Sequence, residues 1–228
     1  MNFIYNLSNV LQKIILRLFA NWQVVGRENV PEVGPLIIVA NHQSNVDPAL
    51  LAPSIPRRIR FLAKDSIFQG PAIARWFLKE YGAFPLNRSG VDVRAHRWAI
   101  DQLRHDGVIA IFPEGTRSQS GMKKAHIGVT RLALTTQATI QPVGITGTER
   151  FGTWMRVFNP TGRLTVTIGQ PFVLPVIEGR PDKAVLESLT DMIMNKIADL
   201  LPPEYQGIYR DKGSDETEGY FAKDRSTA

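Results

Sequence analysis

In the stretch NHQSNVD, His42 and Asp47 stand five positions apart, where the apolar run PLIIVA gives way to DPALLAPS. An imidazole held by a carboxylate through one ring nitrogen can take a proton through the other. That chemistry serves a weak nucleophile such as an alcohol, which must lose its proton as it attacks. A histidine with an ordinary pKa of about 6.5 suits the task near neutral pH. The same residues carry a plainer reading. Asp47 before Pro48 is a good helix cap with proline in the first turn, and His42 is then a buried, satisfied imidazole. The chain supplies its own control in HRWAID, where His96 and Asp101 repeat the spacing inside a helical stretch. Five residues at 3.6 per turn set those side chains about 140° apart, so that pair is assigned to a solvated helix face.

Three further segments hold groups that could complete a site. VIAIFPEGTRS (108–118) runs from an apolar strand into a tight turn allowed by Gly115. The amides around Gly115 and Thr116, the Thr116 hydroxyl and the Arg117 guanidinium suit an anion, phosphate above all. Glu114 repels phosphate and fits better as a holder of an arginine or a substrate hydroxyl. The plain alternative is a strand-ending turn with a surface ion pair. YGAFPLNRSG (81–90) offers Arg88 at a strand end, and Pro85 there suggests an edge strand or a bulge. TIQPVGITG (139–147) reads as a strand lining a cavity. It is followed by Phe151, Trp154, Met155, Val157 and Phe158, many large apolar groups for a loop. Those groups suit a hairpin over the core, an acyl-chain wall or a membrane contact.

Such groups need a scaffold, and the pattern of the chain predicts one. Strands are expected at 35–40, 59–63, 83–86, 108–112, 139–146 and 164–168. Helices are expected at 48–51, 71–80, 91–105, 128–136 and 183–201. Short apolar strands alternating with helices imply an α/β fold, a single domain with a mixed, largely parallel central sheet flanked by helices. Residues 21–210 are assigned to this domain and 211–228 to a mobile polar tail.

Residues 1–20 read as an amphipathic helix, with Phe3, Ile4, Leu7, Val10, Leu11, Ile14, Ile15 and Leu18 on one face and Asn2, Asn6, Asn9, Gln12, Lys13 and Arg17 on the other. The segment is too polar to span a bilayer, and its charges lie inside the apolar run rather than before it, unlike a signal peptide. It is either a helix packed on the core or one lying in a membrane interface.

The chain has 228 residues, no cysteine and a net charge of +6. Without cysteine there is no disulfide, thiolate nucleophile or Cys-based metal site, and the four histidines lack two-His zinc spacing, so no metal is expected. The positive body favours anionic partners. No DNA- or RNA-binding signature is present, and nucleic acid is not expected.

In order, NHQSNVD, GAFPLNR, FPEGTRS and TIQPVGITG resemble the four blocks of the glycerolipid acyltransferases, and most closely the bacterial 1-acyl-sn-glycerol-3-phosphate acyltransferases (the PlsC-like branch), from about Asn21 to Tyr209. The resemblance implies the glycerolipid acyltransferase fold and a catalytic dyad of His42 and Asp47 in an HX₄D block. It implies a substrate-binding set of Arg88, Glu114, Gly115, Thr116 and Arg117, with Pro142 associated with the acyl donor. It implies a lysophospholipid acceptor, acyl-CoA or acyl-carrier protein as co-substrate, no separate cofactor, and an enzyme held peripherally or monotopically on an anionic membrane surface at the cytoplasmic face. A thioesterase, a non-catalytic lipid-binding module and an acyltransferase for another lysolipid are the competing expectations. Pro85 in the second block, and the wider spacing of Lys124 and Gly128 after the third, depart from the pattern.

Overall fold

The most apolar run of the chain forms the most buried strand. Residues Leu36–Ala40 are buried at every position, as a strand covered by helices on both faces must be. The computed structural model describes residues 3–87, 90 and 92–210. In chain order its elements are α1 (Phe3–Phe19), β1 (Ala20–Val25), β2 (Leu36–Ala40), α2 (Asp47–Ser54), β3 (Ile59–Lys64), α3 (Ala72–Tyr81), β4 (Ala83–Leu86), α4 (Val93–Arg104), β5 (Val108–Ile111), α5 (Gly128–Thr136), β6 (Thr139–Thr146), β7 (Gly162–Ile168) and α6 (Lys183–Ala198). Among the described residues seven strands form one sheet, in the order β1-β7-β6-β2-β5-β3-β4. Pairing is parallel throughout except between β6 and β7. This is the mixed, largely parallel α/β fold expected from the sequence.

The two faces of the sheet bury separate cores. On one, Ile38, Ala40, Val143 and Val166 pack under Leu50, Leu51 and Ile55 of the α2 region and under Tyr5 and Leu16 of α1. On the other, Ile37, Val39, Ile109 and Ile140 meet Ala99 and Leu103 of α4, Leu132 and Ala133 of α5, and Ile193 and Ile197 of α6. Asp92 and Asp182 cap α4 and α6, accepting from the amides of Ala95 and Val185. Pro85 sits in β4, which among the described residues pairs only with β3 and is the edge strand that a missing N–H tolerates.

Three readings of the sequence are corrected. Strand β1 was not expected. Ala20, Trp22 and Val24 turn to the core while Asn21, Gln23 and Val25 face out, a period of two. It follows Phe19 without a breaker, so the helical pattern absorbed its start. Helix α2 extends beyond Leu51 to Ser54, with Pro53 inside it. Asp47 does not cap that helix. Val46 holds the cap position and no side chain bonds the first-turn amides.

Helix α1 docks by a narrow stripe of Tyr5, Asn9, Gln12 and Leu16. The Tyr5 hydroxyl accepts from the Ile59 amide at 2.9 Å, Asn9 accepts from the Tyr81 hydroxyl at 3.1 Å, and Gln12 donates to the Val157 carbonyl at 3.3 Å. Two of the polar residues assigned to the solvated face therefore point inward. The broad apolar face, Phe3, Leu7, Val10, Leu11, Ile14 and Leu18, is exposed. Among the described residues no helix is long and apolar enough to cross a membrane. The segment 211–228, expected to be a mobile tail, lies outside the described residues.

Candidate active site

Strands β2, β5 and β6 lie side by side in the middle of the sheet, with Val39 in register with Ile111 on one side and Pro142 on the other. Their C-terminal ends therefore deliver His42, Glu114 and Thr148 to one place. Ligands of open α/β sheets bind at such strand ends. Asn41 continues the pairing where β2 stops. Its side-chain amide donates to the Ile145 carbonyl (2.9 Å) and its oxygen accepts from the Ile145 amide (2.7 Å), which pins the chain just before His42.

His42 Nδ1 lies 2.7 Å from Asp47 Oδ2. A carboxylate oxygen accepts, so Nδ1 carries a proton, and in the neutral ring Nε2 is the acceptor. No group among the described residues bonds Nε2. The ring stacks on Phe112, centroids 4.2 Å apart and planes 22° from parallel, and 12% of the side chain remains accessible. It is thus fixed on one face, tethered at one nitrogen and open at the other.

Asp47 is wholly buried. Such a carboxylate is expensive unless donors surround it, and they do. Besides His42, Oδ2 accepts from the amides of Gln43 (2.7 Å) and Ser44 (2.9 Å), while Oδ1 accepts from the Thr148 hydroxyl (2.6 Å). The reading of His42 as an ordinary satisfied core histidine fits poorly with a free Nε2. The control pair stays apart, as its spacing in a helix implies: Asp101 is exposed and partnered by Gln102 and His105, while His96, expected on a solvated face, is half-buried near Arg131.

Turn 113–118 folds back on His42. The His42 amide donates to Glu114 Oε1 (3.0 Å), and the Ser118 amide donates to the His42 carbonyl (2.8 Å). Glu114 Oε2 accepts from the Lys123 amide (2.8 Å). The residues between, Gly115 to Arg117, are thereby closed against the histidine backbone. Gly115 has φ +66°, the left-handed region that favours glycine, and a Cβ there would lie 2.8 Å from the His126 ring, which would have to move. Thr116 and Arg117 are exposed, and no hydrogen bond or ion pair among the described residues engages the Arg117 side chain.

Glu114 is placed unlike its neighbours Thr116 and Arg117. It is buried, and both oxygens are committed to backbone amides of its own chain. Burial pushes its carboxyl above the ordinary value, against the amides of Lys123 and His42, which pull it down. It braces the histidine turn to the 121–123 loop. In Glu114→Gln the new NH₂ must face one of those amides, leaving a buried N–H unpaired at a cost of about 1–3 kcal/mol. The expected result is a melting temperature lower by several degrees and a reduced kcat with the acceptor KM unchanged. A raised acceptor KM at an unchanged melting temperature would return Glu114 to the substrate side.

The family model for acyltransferases matches residues 21–146, more than half of the chain. The chain belongs to the acyltransferase family. It is 28% identical over 189 residues to a 1-acyl-sn-glycerol-3-phosphate acyltransferase of Bacillus subtilis, covering 82% of this chain and 92% of that relative. It is 30% identical over 202 residues to a protein of the same description from Chlamydomonas reinhardtii, covering 85% of this chain and 57% of that longer relative. The crystal structure of the 1-acyl-sn-glycerophosphate acyltransferase PlsC from Thermotoga maritima superposes with a TM-score of 0.67 at 26% identity, covering 86% of this chain and 78% of that one.

In this acyltransferase the first, third and fourth blocks meet on β2, β5 and β6, while the second ends β4, three strands from β2 and about 14 Å away at the usual strand spacing. Arg88 itself lies outside the described residues. Pro142 is buried within β6, in register with Val39. Sequence reasoning missed Thr148, Asn41 and Phe112. Thr148 directly follows the fourth block and Asn41 opens the first, so both stood beside residues already singled out. Among the described residues no group of three or more His, Asp or Glu side chains is placed to hold a metal ion.

Proposed function

We propose that the protein moves a fatty acyl group from acyl-CoA or acyl-carrier protein to the sn-2 hydroxyl of 1-acylglycerol 3-phosphate, giving phosphatidate. The observation that carries this reading is the His42–Asp47 pair, fixed at Nδ1 and open at Nε2. His42 takes the acceptor hydroxyl proton as that oxygen attacks the thioester carbonyl. The tetrahedral oxyanion collapses with loss of the thiolate, which takes the proton from the imidazolium. No acyl-enzyme is needed, and the chain has neither cysteine nor a G-x-S-x-G elbow to form one. The acceptor phosphate binds at the Gly115–Arg117 turn with Arg117, and Arg88 serves as its second ligand. Holding the phosphate there makes the attack effectively intramolecular.

The test is a panel of lysolipid acceptors with one labelled acyl-CoA, read by product mass. Phosphatidate is expected with lysophosphatidate and little product with acceptors lacking the phosphate. Rapid hydrolysis of acyl-CoA without acceptor would favour a thioesterase. Arg117→Lys is expected to raise the acceptor KM with little change in the acyl-CoA KM, since lysine cannot reproduce the bidentate fork. The reverse pattern would move Arg117 to the donor side.

The same reading places the enzyme on an anionic membrane surface. The outward apolar face of α1 has exposed apolar neighbours. On one side, Gln12 bonds Val157 in the turn that carries Trp154, Met155 and Phe158. On the other, Tyr5 packs on Tyr81, and Tyr81 on Phe77, beside Trp76 and Ile73 of α3. Cations accompany this surface. Burial, then Arg27 and Arg17, press the Lys13 ammonium below its ordinary value, and anionic headgroups would relieve the part that comes from the two arginines.

A further inference from the structure

We propose that Thr148 is a positioning residue of the reaction and that the unit doing the chemistry is Thr148–Asp47–His42 rather than a dyad. The inference rests on the reading of His42 as the general base. Its starting point is how the Asp47 carboxylate is shared. Three donors converge on Oδ2: the His42 ring and the amides of Gln43 and Ser44. A single donor, the Thr148 hydroxyl at 2.6 Å, meets Oδ1. Both Asp47 and Thr148 are fully buried, so water cannot stand in for that hydroxyl without a rearrangement.

A carboxylate has two equivalent oxygens and one soft rotation about its last side-chain bond. With Oδ1 anchored, Oδ2 is confined to the direction of Nδ1. Without the anchor, the carboxylate can turn Oδ1 toward the same three donors, and the imidazole follows whichever oxygen it bonds. Thr148 therefore sets the angle at which Nε2 meets the acceptor hydroxyl, although it touches neither substrate.

The anchor is itself held. Thr148 also lies 3.4 Å from Gln43 Oε1, a long second contact. The turn it opens is closed by the Phe151 amide on the Thr148 carbonyl (2.9 Å). The Ser44 hydroxyl donates to the Phe151 carbonyl (3.0 Å), a second tie between the 148–151 turn and the 43–47 turn. Just upstream, Asn41 joins β2 to Ile145. A change at the Thr148 hydroxyl thus leaves the backbone fastened on both sides, and the expected loss lies in orientation rather than folding.

The experiment measures kcat and both KM values for wild type, Thr148→Val, Thr148→Ser and His42→Ala, with ¹⁵N-histidine-labelled protein to follow the downfield His42 Nδ1 proton. Thr148→Val is expected to lower kcat about 10- to 100-fold, the usual worth of a hydrogen bond to a buried charge. Both KM values should hold and the Nδ1 resonance should shift or broaden. Thr148→Ser, which keeps the hydroxyl, should restore both kcat and the resonance. If Thr148→Val does not fold, Thr148→Ala, which sets no methyl against the carboxylate, takes its place. Wild-type kcat in the variant lacking the hydroxyl, beside an inactive His42→Ala, overturns the role of Thr148 and leaves the base in place. A reduced kcat with an unmoved Nδ1 resonance and no rescue by serine also overturns it. An active His42→Ala overturns the reading beneath it.

Discussion

His42→Ala is expected to lose acyl transfer by about 10²- to 10⁴-fold, the range typical of a general base, while His96→Ala keeps it. The two histidines share the same spacing to an aspartate and differ in everything else. His42 is tethered at Nδ1, stacked on Phe112 and open at Nε2. His96 rides on α4, where burial, then Arg131, holds its ring below the ordinary histidine value, and no carboxylate orients it. The comparison is made at matched circular dichroism, with kcat measured under saturating donor and acceptor. Equal activities in the two variants would remove His42 from the mechanism.

Replacing Asp47 would be the worse test, for a reason the geometry supplies. His42→Ala takes away one donor among four, and the carboxylate it leaves is still bonded by two amides and a hydroxyl. Asp47→Ala would instead strand three buried donors and the ring together. Leaving buried groups unpaired costs about 1–3 kcal/mol each, which is of the order of a domain's whole stability of 5–15 kcal/mol. Loss of activity there would not separate chemistry from folding.

How far the chain could be read in advance follows from what each signal encodes. Strands such as β2 and β5 were legible because central parallel strands are apolar throughout. β1 was not, because its period of two begins where a helical period ends. The His42–Asp47 contact was legible because its spacing is local, with a turn to bring the residues together. Thr148 was not, since its partnership with Asp47 spans 101 positions and depends on β6 lying beside β2. Glu114 shows the same limit from the other side. A carboxylate in a glycine turn beside Thr116 and Arg117 invites a substrate role, and only the tertiary fold reveals two amides filling both oxygens. In α1 the periodicity located the apolar face, but whether that face looks inward or outward depends on what else covers the sheet.

That orientation makes the membrane prediction sharper than a truncation could. Deleting residues 1–20 would remove Tyr5 and Leu16 from the core and the Tyr5 hydroxyl from the Ile59 amide, so lost binding could merely report lost folding. Leu11 and Ile14 are about half exposed, and charges there leave the docked stripe of α1 untouched. In Leu11→Glu/Ile14→Glu the melting temperature should hold, because both groups already meet solvent. Each change withdraws roughly 1.5–3 kcal/mol of apolar burial in the bilayer interface and adds a negative charge facing anionic headgroups. Vesicle affinity should therefore fall by at least about a hundredfold. Trp154→Ala, on the adjoining turn, should weaken binding by a smaller step in the same direction. Wild-type binding should decline with salt and with the fraction of anionic lipid, since Lys13, Arg17 and Arg27 contribute by charge. Co-sedimentation with vesicles of matched size, with and without anionic lipid, reads all three effects. Full binding by the folded double-glutamate variant would show that the outward face of α1 meets something other than the bilayer. Retention of wild type through high salt and alkaline carbonate would replace the surface-bound picture with deeper insertion.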